Sequence, residues 1–152
     1  MSAMKDRLRS ELTASMKARD ELRSSTLRMV LTAITNAEVA GKQARELTDD
    51  DVTGVLAGEA KKRREASAAF DAANRPELAA KERAEAAVLA EFLPDPLSDA
   101  EIAELVASTI TDLGVGADGM RAMGRVMGAI TPQIKGRADG GVVSAEVRRQ
   151  LG

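Results

Sequence analysis

A chain of 152 residues with 44% hydrophobic content is long enough for one domain, or two small ones, with an apolar core. It contains no cysteine and no histidine, which excludes disulfides, zinc fingers, thiolate nucleophiles and the usual imidazole base. Its 22 cations and 24 anions leave a net charge of −2, which argues against indiscriminate attraction of nucleic acid by the whole surface.

Phe70 and Phe92 are the only aromatic residues, so the core must be built from Leu, Val, Ile, Met and Ala. Apolar alternation never persists for a full strand length, and the composition favours helix. The pattern predicts an all-α protein of seven helices in two groups. Leu8, Leu12 and Met16 form a narrow stripe on a first helix, roughly residues 4 to 18. Asp20 can cap a second, whose broad face of Leu22, Thr26, Met29, Val30, Ala33, Ile34 and Ala37 is widened by Leu27 and Leu31 and ends near Gly41. Thr48, followed by Asp49, Asp50 and Asp51, places a cap and three acids at the positive end of a third helix, expected from about Asp49 to Ala73. Its inward positions are Val52, Val55, Leu56, Ala60, Ala66 and Phe70, with Arg63 buried by its aliphatic stem alone.

Pro76 opens a fourth helix carrying Leu78, Ala86, Leu89, Phe92 and Leu93. Pro94 and Pro96 cannot continue it, and Ser98 with Glu101 supplies a capping box that restarts a helix with Ile102, Leu105, Val106, Thr109, Ile110 and Leu113 inward. The expected organisation is therefore a helical bundle over residues 1–93 and a three-helix module over 97–152. In the second module Met123, Val126, Met127 and Ile130 share a face, and Pro132 is expected to end or kink that helix. Gly124 and Gly128 lie one turn apart, and since each costs about 1 kcal/mol against alanine, close approach of another backbone, or a loose helix, is expected there. Asp139 can cap a last helix bearing Val143, Val147 and Leu151.

Three motif matches fail on context. Gly114, Gly116 and Gly119 satisfy G-x-G-x-x-G, but they follow an amphipathic helix where a dinucleotide fold needs a strand. Ser24-Ser25 lies inside a periodic helix without glycine-rich surroundings, and Gly41-Lys42 is followed by Gln43, so no phosphate loop is present. Glu101 and Glu104 are explained by capping and solvation. No catalytic residue, metal ligand set or cofactor site is read from the chain, and a charged start with no long apolar run points to a cytoplasmic protein.

Charge is unevenly spread. Residues 94–113 carry five anions and no cation, whereas residues 114–152 carry six cations and three anions, so a positive corner follows an acidic helix. Arg121, Arg125, Lys135, Arg137, Arg148 and Arg149 are enough to neutralise several phosphates, although on charge alone a solvated helical surface is the commoner reading. The run Lys61, Lys62, Arg63, Arg64 fans around a helix, where Glu59 and Glu65 offer local pairing.

The ordered set Met123-Gly-Arg-Val-Met127, then Lys135-Gly-Arg-Ala-Asp-Gly140 and a terminal helix, resembles the YqeY-like family. It is also similar to the C-terminal tail of the GatB subunit of the tRNA-dependent amidotransferase. The resemblance continues upstream through Glu59 to Glu65 and Leu89 to Pro94. In that enzyme the tail helps recognise tRNA, while the chemistry belongs to other domains. The resemblance thus implies a non-catalytic accessory protein of tRNA binding or tRNA metabolism. The implied RNA-binding residues are Arg121, Gly124, Arg125, Lys135, Gly136, Arg137 and Arg148, with Lys61, Lys62, Arg63 and Arg64 as a secondary basic face. Arg137 stands where the tail often has lysine, and Asp139 where it often has asparagine. Two other readings stay open: a scaffold that binds a protein partner, and an accessory component of a carbon-nitrogen ligase using glutamine as amide donor.

Overall fold

The computed structural model describes residues 2–152, and every regular element in that range is helical. The protein is all-α. The helices are α1 (Ala3–Lys17), α2 (Glu21–Val39), α3 (Asp49–Ala72), α4 (Pro76–Ala90), α5 (Asp99–Leu113), α6 (Met123–Ile134) and α7 (Gly140–Leu151), with a 3-10 turn over Gly119–Ala122 before α6. Their starts are set by short-range chemistry. The Asp20 carboxylate accepts from the Arg23 amide, Thr48 and Asp51 form a reciprocal capping box, Ser98 and Glu101 form another, and Asp139 accepts from the Gly141 amide. Gly114 closes α5 in the left-handed conformation at φ 66°, which accounts for one glycine of the apparent dinucleotide motif.

The chain divides into two compact units, one reaching to Leu93 and the other spanning Pro94–Gly152. In the first, α1 packs on α2 and α3 on α4, with α2 contacting both α3 and α4. Its core gathers Leu8, Leu27, Val30, Ile34, Val52, Leu56, Leu89 and Phe92, together with Leu47 from the loop before α3. Met16 is half exposed, contrary to the expected stripe, and Ser15 is buried in its place. Ser15 lies seven residues from Leu8 and so nearly eclipses it, whereas Met16 is a further 100° around the helix. The Ser15 hydroxyl meets Ser24 Oγ at 2.8 Å, so Ser24 of α2 is a packed structural group.

In the second unit α5, α6 and α7 each touch the other two. Val106, Val126, Ile130, Val143 and Val147 are completely buried at their centre. Pro132 does not end α6, which continues to Ile134. Side chains on either side of the proline bond to carbonyls of the preceding turn: Thr131 Oγ1 donates to Met127 O at 2.7 Å and Gln133 Nε2 to Ala129 O at 3.0 Å.

We propose that this unit folds by itself. Because the Leu97 amide donates to Arg137 O and Arg137 Nε donates to Asp95 O, a fragment should start at Pro94 to keep both ties. That fragment should retain helical circular dichroism, and limited proteolysis of the full chain should cut first near Leu93 to Pro96. An unstructured fragment would contradict independent folding.

Candidate nucleic-acid interface

The corner between α6 and α7 is built around one carbonyl. Ile134 O accepts from the amides of Arg137 at 2.8 Å and Ala138 at 3.1 Å, a close reversal made possible by Gly136 at φ 77°, which a side chain would strain. Lys135 leaves the helix with extended ψ and its side chain is exposed. Arg137 is only half-buried, and its Nε is engaged by the Asp95 carbonyl at 3.0 Å, so part of the guanidinium braces the segment before α5.

Cations on the rest of the module divide by what they touch. Arg149 is held by Glu146 through Nε at 2.9 Å and a second nitrogen at 2.5 Å, and Gln150 joins them while donating to Ala103 O on α5. Arg125, Lys135 and Arg148 are exposed and make no hydrogen bond or ion pair among the described residues, and Arg121 reaches only the Asp118 carbonyl at 3.5 Å. Arg125 and Lys135 are ten residues apart along α6, about 15 Å by helical rise. α7, which carries Arg148 one turn from its end, packs on both α6 and the 3-10 turn. The expected residues thus fall at two stations along α6, Arg121 with Arg125 at its start and Lys135 with Arg137 at its end, with Arg148 on α7.

Gly124 does not serve a close backbone contact within the unit. It and Gly128 lie on the outer surface of α6, with open space where a side chain would project.

The run on α3 is dispersed. Arg63 turns its charged head inward, against the expectation that only its stem would be buried: it lies 3.2 Å from Glu59, 3.6 Å from Glu85 and 3.8 Å from Glu82, with a side chain 22% exposed. Glu82 and Glu85, three apart on α4, face α3 and draw the guanidinium in; sequence spacing showed Glu59 but not the two acids across the hairpin. Lys62 reaches Glu59 at 3.3 Å, while Lys61 and Arg64 are exposed. The four cations form no single basic surface.

Carboxylate chemistry here is structural. Hydrogen bonds from Arg149 and then Gln150 hold the Glu146 carboxyl down at about 2, and the Ser98 amide and hydroxyl lower that of Glu101. Depressed folded values contribute stability that is present above the unfolded pKa and lost as pH falls through the folded one, so for Glu146 the loss should run from 4.5 down to about 2. With no histidine in the chain, urea midpoints should be flat from about pH 5 to 8 and drop only below that range. A midpoint that shifts near pH 6.5 would contradict this assignment. No group of acidic residues among those described is arranged to hold a metal ion, and no described helix is long and apolar enough to cross a membrane.

The chain is 32% identical over 150 residues to Altered inheritance of mitochondria protein 41, mitochondrial, from Pyrenophora tritici-repentis, covering 96% of this chain and 80% of that protein. It is 39% identical over 93 residues to an uncharacterized protein of Schizosaccharomyces pombe, covering 60% of this chain and 73% of that one. Residues 5–151 match the profile of Yqey-like proteins, both helical units included, and the chain therefore belongs to the YqeY-like family.

Proposed function

We propose that the protein is a tRNA-binding accessory factor of the cytoplasm that contributes recognition and no chemistry of its own. The observation that carries this reading is the set Arg121, Arg125, Lys135 and Arg148: four exposed cations without an acidic partner on one helical hairpin of an otherwise acidic protein. Arg149, by contrast, is paired with Glu146. Left unneutralised and spread over about 15 Å, they suit a polyanion with several phosphates better than a small anion, which one station would satisfy. The resemblance to the amidotransferase tail names tRNA as the polyanion, with Gly136 and Arg137 setting the corner that presents Lys135.

Crosslinking the tagged protein in living cells and scoring the purified adduct for tRNA tests this directly. Enrichment of tRNA over total RNA is expected. Adducts containing protein alone would favour the scaffold reading instead.

A further inference from the structure

The proposed RNA site carries a statement about which form of RNA it takes. Binding of single strands relies on aromatic platforms on which bases stack, each worth about 1–3 kcal/mol. Residues 94–152 contain no Phe, Tyr, Trp or His. Arginine planes can stack as well, but an arginine used that way is lost to phosphate. Amide side chains that read base edges are absent or engaged, since the unit has no asparagine while Gln133 is bonded to Ala129 O and Gln150 to Ala103 O and Glu146, and an arginine or lysine turned to a base edge is likewise lost to phosphate. What remains is charge at two stations held about 15 Å apart by a helix, a spacing fixed before the ligand arrives.

Fixed stations select a ligand whose phosphates are also fixed. A double-helical RNA presents such an array, whereas a flexible strand must be ordered at an entropic cost that no stacking offsets. Resting on the RNA-binding reading above, we infer that the α6–α7 face recognises the phosphate backbone of double-helical RNA, independently of sequence and without engaging unpaired bases.

Fluorescence anisotropy with the full chain tests this, using two RNA hairpins of unrelated sequence, each with about 16 base pairs, and an oligouridine carrying the same number of phosphates. At about 50 mM salt the two hairpins should bind within about twofold of each other and at least about tenfold tighter than oligouridine. Oligouridine binding as tightly as the hairpins, or hairpins differing by tenfold or more, would overturn the inference while leaving RNA binding intact. Absence of binding to all three probes would remove the RNA-binding reading and this inference with it.

Discussion

A chain carrying Arg121→Gln, Arg125→Gln, Lys135→Gln and Arg148→Gln together should keep its fold and lose nearly all affinity for RNA. All four side chains are exposed and none makes an ion pair, so their removal leaves no buried group unsatisfied. Each phosphate contact contributes about 0.7–0.9 to the slope of log affinity against log salt, so losing four should flatten it by about 3. At about 0.1 M salt the same counterion release corresponds to a roughly hundred- to thousandfold weaker complex. Arg149→Gln is the matched control. Its charge is already spent on Glu146, so binding should change far less. A quadruple variant that binds tRNA like the parent, or an Arg149 variant that loses as much, would refute the assignment of these side chains.

The second large effect is expected far from that surface, at Arg63. Three carboxylates, Glu59, Glu82 and Glu85, with side chains only 11%, 17% and 11% exposed, face this guanidinium. Lys62 meets Glu59 but is 67% exposed and cannot replace it inside the hairpin. Arg63→Met should therefore destabilise the first unit by about 3 kcal/mol, the lower part of the range for stranding buried charge, because water still reaches part of the cluster. Adding Glu59→Gln and Glu85→Gln to the variant should restore much of the loss, since the cost lies in uncompensated carboxylates rather than in a missing contact. Urea unfolding followed by circular dichroism measures both. An Arg63→Met protein as stable as the parent would show that the cluster is solvated and energetically idle.

These two sites differ in how far they could be read from sequence. Caps at Asp20, Thr48, Ser98 and Asp139 were legible because a cap and the amide it satisfies lie within three residues. The all-α class was legible because periodicity and composition agree. Arg63 was not, since two of its partners sit on α4 and their approach depends on the register of the α3–α4 hairpin. Pro132 was expected to end or kink α6, and the helix runs on two residues to Ile134, with Thr131 and Gln133 adding side-chain bonds to Met127 O and Ala129 O. Residues at the candidate site could be named from the resemblance and from charge. Their division into free and engaged cations could not, because it rests on Asp95 reaching Arg137 across the module and on Glu146 choosing Arg149 over its neighbour Arg148.

The most direct test of RNA binding through α6 and α7 is the affinity of the unmodified protein for bulk tRNA, measured by anisotropy at several salt concentrations from about 50 to 200 mM. Four phosphate contacts predict a straight line of log affinity against log salt with a slope of about −3. A slope near zero, or no binding at the lowest salt, would contradict it.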